Sequence, residues 1–532
     1  MKSVLALALL LAGLGLPCEA GDLDTMGVTL VLSNDSTLTG AGILVAQGEA
    51  HSSGGDDWEV YPPYIGQPVS LVTWINTNGS SNGIPNSLGT VSSHAVQVGN
   101  CFYGIPAGVA PGVLHVDNYE ADYFTQYIVQ SNQPMSNGLV NQSAIVNQSF
   151  TFGVLPVSYP LTDNSQQTVD SMFDDYTATY GTLFCSAVNN GGQVCAPGTA
   201  YNSLGVGCYG PDSHSSFGPT ADNGRSKPDL VAPQSETSFS TPYVAGAAAV
   251  LLQSAARGDG GTNTSAAGDA RTIRALLING ALKPGDWTHT PPAPLDTRYG
   301  AGVLNLYYSW QQLTGGQQPF SVSQTVPAGG DHPPGTPSAL IPGLLGWDFQ
   351  TITNPSPESD VVNHYYFDNS ANPAAALALT ATLAWNRGFG QTNINNLALF
   401  LCDSAGGGLV TNSVSAVDNV QHIYVPSLPP GQYDLQVVKY GSLSQSVTPS
   451  ETYALAFQFY PISPPPVCLS LSGTNTVVSW PWSPAIFNLQ QTASLTPPIV
   501  WAPVTAGGLI AGTTVSVTLN PAGGAAFYRL CR

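Results

Sequence analysis

Residues 235–252 read SETSFSTPYVAGAAAVLL, a cluster of hydroxyl side chains and a proline ahead of a run of small residues. A serine hydroxyl can attack a carbonyl only if a base takes its proton and donors hold the resulting oxyanion. Pro242 suits the first turn of a helix, where its missing N–H would have no partner, which puts Ser238 just ahead of a helix start. Unpaired N–H groups point outward there and the macrodipole favours negative charge. A nucleophilic oxygen gains from that position, and so does its oxyanion. Ala245, Gly246 and Ala247 would let the helix approach neighbouring backbone closely. The same residues would equally serve a Ser/Thr-capped core helix with no chemistry. A base and a carboxylate to fix its tautomer must therefore be found elsewhere. His94 follows Ser92 and Ser93, which can cap a helix carrying it on the first turn; a capped surface histidine would look the same.

Such groups, distant in sequence, need a sheet to bring them together. Gly42 to Gly48 (GILVAQG), Ala144 to Phe150 (AIVNQSF) and Leu183 to Val188 (LFCSAV) are short apolar runs ending in polar or glycine residues. Runs of this kind suit strands covered on both faces, as in a parallel sheet. Between them fall helical patterns: Val244, Ala247, Ala248, Leu251 and Leu252 line one helix face. Residues 269–282 (DARTIRALLINGAL) begin at an Asp and end near a Gly. From about 317 the period changes to two. Leu377, Leu379, Ala381, Leu383 and Trp385 alternate with other residues, as do Leu397, Leu399 and Leu401, and Tyr453, Leu455, Phe457 and Phe459. The fold class expected is α/β up to about 316, an all-β sandwich over 317–460, and a small β module over 461–532 beyond a proline-rich connector.

The stretch SKPDLVAPQSETSFSTPYVAGAAAVLL resembles the serine segment of subtilisin-like proteases, the subtilases, in which KPDLVAPG is followed by a loop, GTS and PxVAGAAALL. Ser238 falls on the nucleophile, with Glu236 where the family has Gly and Phe239 where it usually has Met. Residues 89–118 (GTVSSHAVQVGNCFYGIPAGVAPGVLHVDN) resemble SHGTHVAG followed by GVAPGA, which puts His94 on the catalytic histidine. LTGAGILVAQGEA (38–50) resembles the opening strand GxGVxVAVxDTG, with Glu49 at the acid position; Asp56, Asp57 and Asp117 are the alternatives. TLFCSAVNNGGQ (182–193) resembles VAAAGNxG and implies Asn189 as the oxyanion amide. NQSFTFG (147–153) is similar to the NMSLGG edge, which implies that Ser149 and Phe150 line the substrate cleft. SSFGPTADNGRSKPDLVAP (215–233) and RYGAGVLNLYYSW (298–310) also match family segments, so the resemblance runs from about 27 to 312. The order acid, histidine, asparagine, serine is the subtilisin order. The resemblance implies a subtilisin-like parallel sheet with flanking helices, a serine endopeptidase activity on proteins or peptides, and no organic cofactor. It also raises structural calcium, without naming ligands. Read instead through Glu49, HAVQ and Glu236, the chain would be a catalytically silent fold of the same kind.

Composition bounds the rest. With 32 acidic and 12 basic residues the formal charge is −20, so a phosphate backbone would be repelled and nucleic acid is excluded as a partner. The opening MKSVLALALLLAGLGLPCEAG reads as a signal peptide over residues 1–20, and predicts a secreted or envelope protein. No later run is long and apolar enough for a membrane anchor, so any envelope association would fall to the C-terminal modules. Of 8 cysteines, Cys18 lies in the signal; Cys468 with Cys531 and Cys195 with Cys208 are the pairings considered.

Overall fold

The computed structural model describes residues 20–531 apart from 53, 136–142, 153–162, 336, 371–376, 442–446, 463–464, 482–486, 507, 512–513 and 521–525. The signal-peptide reading of residues 1–20 falls almost wholly outside the described residues.

The central sheet uses β1 (Leu44–Glu49), β2 (Val72–Ile75), β3 (Ser81–Asn82), β4 (His115–Glu120), β5 (Ile145–Gln148), β6 (Leu183–Ala187), β7 (Leu204–Tyr209) and β8 (Leu230–Pro233). Their order is β8-β7-β6-β5-β1-β4-β2-β3, parallel except where β3 folds back on β2. Alternate residues of each apolar run serve opposite faces. Val45, Ile145 and Leu183 join one core, while Ala46, Val146 and Phe184 join another with Phe173 and Tyr176. This is why the runs are continuous rather than alternating. The consecutive strands β4 and β5 lie on either side of β1. The chain reverses direction across the sheet there, and the crevice beyond the carboxyl end of β1 is where sheets of this type build sites.

On the first face lie α1 (Ser93–Tyr103) and α3 (Thr237–Arg257), and on the second α2 (Asp163–Tyr180). From Tyr243 to Leu251 every residue of α3 is buried, so the helix is central rather than one-faced. Gly246 makes this approach workable: a Cβ there would stand 2.7 Å from the Val109 Cβ. That contact ties the serine-bearing helix to the turn following the histidine-bearing one. α4 (Ala270–Gly280) starts at Asp269, whose side chain accepts the Arg271 N–H, and α5 (Leu306–Thr314) closes the unit.

Two antiparallel sheets follow. One orders β9 (Val322–Pro327), β11 (Ser359–Asp368), β16 (Gln432–Lys439), β13 (Leu397–Asp403) and β14 (Leu409–Ser413). The other orders β10 (Leu345–Thr353), β17 (Ser450–Pro461), β12 (Leu377–Trp385) and β15 (Val420–Leu428). Tyr365, Leu399 and Leu435 from the first meet Leu379, Leu383 and Phe457 from the second in one core. The period-two reading of β12 finds the face carrying Leu379 and Leu383. Its other face is buried too, because Trp347, Ala384, Val420, Ala454 and Ala456 join the core of the preceding unit. Polar groups fix this junction. Arg274 donates to the carbonyls of Tyr201 and Trp385, both at 2.6 Å, and of Asn419 at 3.1 Å. Arg387 pairs with Asp174 at 2.6 Å.

The last strands, between Cys468 and Cys531, form a four-stranded and a three-stranded sheet around Val478, Trp480, Leu489 and Val517. Cys468 opens a strand of one sheet, Cys531 ends a strand of the other, and Cys468 is a free thiol. Cys208 is a free thiol as well, so neither expected bridge is formed.

Candidate active site

Glu49 is the last residue of β1 and is buried at its carboxyl end. His94 is the second residue of α1, whose N-cap Ser92 accepts the Ala95 N–H. Strand end and helix start bring Glu49 Oε2 to 2.8 Å from His94 Nδ1. A buried carboxylate accepting at Nδ1 puts the proton on that nitrogen and leaves the lone pair on Nε2. Burial alone would push the imidazole pKa down. The charge and hydrogen bond of Glu49 outweigh that, and the pKa is raised above its ordinary value. Asp56, Asp57 and Asp117 do not reach this ring: Asp57 accepts from Ser52, and Asp117 lies buried against Ser143 and His115.

Glu49 has its own support. Gln47, on the same face two residues earlier, donates through Nε2 to Glu49 Oε1 at 2.8 Å and to the Ala95 carbonyl at 2.9 Å. Tyr103 OH donates to Gln47 Oε1 at 2.6 Å. Burial, with the charge of Glu49 added, holds the Tyr103 pKa far above the usual phenol range, so it remains a donor. This chain joins both ends of α1 to β1. Its sequence signal is a lone glutamine inside the apolar run GILVAQG, in phase with Glu49, and the sequence reading passed over it.

Ser238 lies inside the first turn of α3, not ahead of it, and Pro242 falls one turn further in. A proline there cannot bond the carbonyl four residues back, which is that of Ser238. Ser149 Oγ takes the vacant bond, donating to Ser238 O at 2.7 Å. In return Ser238 Oγ donates to Ser149 O at 3.2 Å. Phe239 sets its ring 5.6 Å from that of His94. The structure thus brings Glu49 and His94 into direct contact and sets Phe239, the residue after Ser238, against His94, with the Ser238 hydroxyl bonded to Ser149 rather than to His94. Phe150 packs over Gly48, its Cε1 3.2 Å from where a Cβ would stand.

Asn189 is not brought to Ser238. Its backbone takes φ +100°, and its amide turns into its own loop, donating to the Gly191 and Gln193 carbonyls. Asn190 instead reaches Thr237, the residue before Ser238: its Oδ1 accepts the Thr237 N–H at 2.8 Å and the Thr237 hydroxyl at 3.0 Å. The physical reason is the turn after β6, which takes positive φ at Asn189, Gly191 and Gly192, the first of them not a glycine. With Asn189 in that conformation, the following side chain faces α3. With Thr237 N–H taken and Phe239 N–H turned back to Glu236 O, the Ser238 N–H has no partner among the described residues. Glu236 caps nothing with its side chain and pairs with His214 at 2.6 Å.

The sequence profile of the subtilase family matches residues 108–302. The chain carries a subtilase domain, that of a serine-type peptidase. The match takes in Asn190 and Ser238 and begins beyond Glu49 and His94. No curated protein matches the chain. Among solved structures it is similar to the prenylagaramide maturation protease PagA, at 20% identity over 54% of this chain and 99% of that one, with a TM-score of 0.35. A protease from Pseudoalteromonas arctica shares 15% identity over 55% and 97%, at TM-score 0.34. The PatG macrocyclase, solved with a peptide, shares 15% over 55% and 98%, at TM-score 0.37. Calcium, raised by the family resemblance, is not fitted by the close group of ligating side chains among the described residues. That group is His51, Glu120 and Asp122, and imidazole is not a calcium ligand. No described helix is long and apolar enough to cross a membrane.

Proposed function

We propose that the chain is an exported endopeptidase in which Ser238, His94 and Glu49 act together. Ser238 Oγ attacks the peptide carbonyl and passes its proton to His94 Nε2. Glu49 holds the tautomer and stabilises the imidazolium. The oxyanion is received by the Ser238 N–H and the Asn190 amide, whose Oδ1 is already anchored on Thr237 so that Nδ2 is left for the substrate. His94 then protonates the leaving amine, and water hydrolyses the acyl-enzyme by the reverse path. Ser149 and Phe150 are assigned to the cleft wall beside Ser238. The observation that carries this reading is the 2.8 Å Glu49–His94 pair with Phe239, the neighbour of Ser238, against the same ring. Export rests on the signal-like residues 1–20, and envelope association would fall to the last module, where Leu469, Leu471 and Val500 are exposed.

A fluorophosphonate probe tests the reading. Labelling is expected at Ser238 and is lost in Ser238→Ala and His94→Ala. A second reading, a catalytically silent binding protein, draws on the Ser238 hydroxyl donating to Ser149 instead of His94. A folded chain that takes up no label would favour it.

A further inference from the structure

Beside the Glu49–His94 pair, a second set of ligating groups converges. His51 lies two residues beyond Glu49, Glu120 is the register partner of Glu49 on β4, and Asp122 follows in the short helix Ala121–Tyr123. His51 Nε2 stands 3.9 Å from Glu120 Oε1 and 3.9 Å from Asp122 Oδ2. One ligand atom from each of the three residues lies within 4.8 Å of the others. The other ring nitrogen, Nδ1, is 2.9 Å from the Ser52 carbonyl, which can only accept. Nδ1 therefore carries a proton, and Nε2 is the ring nitrogen turned toward both carboxylates. At 3.9 Å these are not hydrogen bonds; three electron-pair donors face one point. Glu120 is fixed, 1% exposed, with its oxygens accepting the Asp122 and Tyr123 N–H groups at 3.0 and 2.8 Å. His51 and Asp122 are 32% and 71% exposed, which leaves an entry path and room for water.

We propose that His51, Glu120 and Asp122 bind a divalent transition-metal ion of the zinc type, with water completing the shell. One imidazole and two carboxylates form a donor set that calcium and magnesium do not favour and zinc does. Zinc holds such ligands at about 2.0–2.2 Å, so the three atoms must close by roughly half an ångström, a shift the exposed Asp122 side chain can supply. The Ser52 carbonyl on Nδ1 is the outer partner that orients metal-bound histidines. The bound ion would clasp the loop after β1 to the end of β4. Its ligands exclude Glu49 and His94, and the site stands whether or not the chain is a peptidase.

The test uses the full chain carrying Ser238→Ala, which cannot digest itself. Titration with Co2+ should give a saturable visible absorption at one ion per chain, displaced by Zn2+ and not by Ca2+, and Zn2+ should raise the melting temperature. His51→Ala should abolish both effects, Asp122→Asn should weaken binding at least tenfold, and His94→Ala should leave them intact. Neither His51 nor Asp122 is a core residue, and circular dichroism checks that each variant folds. No Co2+ uptake, or uptake unaffected by His51→Ala, would overturn the site.

Discussion

Gln47→Leu isolates what supports the carboxylate of the proposed triad. The substitution keeps approximate volume at a fully buried position but removes the donor 2.8 Å from Glu49 Oε1. A hydrogen bond to a charged group contributes about 1.5–3 kcal/mol. If that interaction holds Glu49 where His94 needs it as the imidazolium forms, the loss appears in the activated complex as a fall of roughly 10- to 150-fold. The ceiling is the effect of losing the acid's function altogether, roughly 10⁴ in triads of this kind. The second-order rate of fluorophosphonate labelling reads this without knowledge of the natural substrate, and kcat on a peptide substrate should fall more than KM changes. Gln47→Leu also leaves Tyr103 OH and the Ala95 carbonyl without their partner, so a lower melting temperature is expected and must be measured separately. Tyr103→Phe, one step further out, should slow labelling by a smaller factor. In a Glu49→Gln background, Gln47→Leu should add little, because both changes remove one function. A folded Gln47→Leu chain that labels within twofold of the parent, or full additivity of the two changes, would refute the argument.

Other expectations follow from the same geometry. Asn190→Ala should lower kcat by roughly 10²–10³, as loss of an oxyanion amide does, while Asn189→Gly, which suits φ +100°, should leave kcat nearly unchanged. Because the His94 pKa is raised, the acidic limb of a pH–rate profile should lie above the ordinary imidazole value and move down in Glu49→Gln. The same shift gives stability that is fully present below the unfolded pKa and is lost as pH rises through the folded one. Thermal unfolding of Glu49→Gln and parent should therefore differ most on the acid side. Arg274→Met removes the charged donor shared by three buried carbonyls at the junction of the catalytic unit and the sheet pair, and each carbonyl keeps one other bond through Asn419 or Trp385, so a destabilisation of about 1.5–3 kcal/mol is expected. One cooperative melting transition at lower temperature is the expected record.

What the sequence made legible was mostly a matter of period and position. Apolar runs at Leu44–Glu49, Ile145–Gln148 and Leu183–Ala187 are strands of one parallel sheet, and Ser92 caps the helix that carries His94. Pairing of Glu49 with His94 was what the family resemblance implied, and a strand end facing a helix start is where it is realised. Other features depend on backbone angles and tertiary contacts that no spacing encodes. Asn189 and Asn190 are identical in type, and only the turn decides which one meets Thr237 at the start of α3. Pro242 looked like a first-turn residue because its cost further inside the helix is visible, whereas the hydroxyl that offsets it, that of Ser149, lies 89 residues before the Ser238 carbonyl it bonds. The outer face of β12 read as ordinary alternation because Thr380 and Thr382 are polar, yet both donate to Asn279 of α4 and are buried.

Pro242 and Ser149 also bear on why the Ser238 hydroxyl and His94 are not yet joined. The Ser238 backbone is held on several sides: its carbonyl by Ser149, its preceding N–H by Asn190, and its helix by the close contact of Gly246 with Val109. His94 is held equally firmly by Glu49 and, through Ala95, by Gln47. The coordinate left free is the Ser238 side-chain torsion, whose present hydrogen bond to Ser149 O is long at 3.2 Å and neutral. A bond of that kind is worth about 0.5–1.5 kcal/mol net, less than the charge-assisted interactions gained once His94 accepts the proton. Under the proposed reading, then, turning the hydroxyl from Ser149 toward His94 is a rotamer change rather than a rearrangement of the fold. A structure of the chain covalently inhibited at Ser238 should show Oγ displaced from Ser149 O while the Ser149 Oγ to Ser238 O bond and the Asn190–Thr237 contact persist. Loss of those two contacts on acylation would mean that the backbone, and not one torsion, separates the two states.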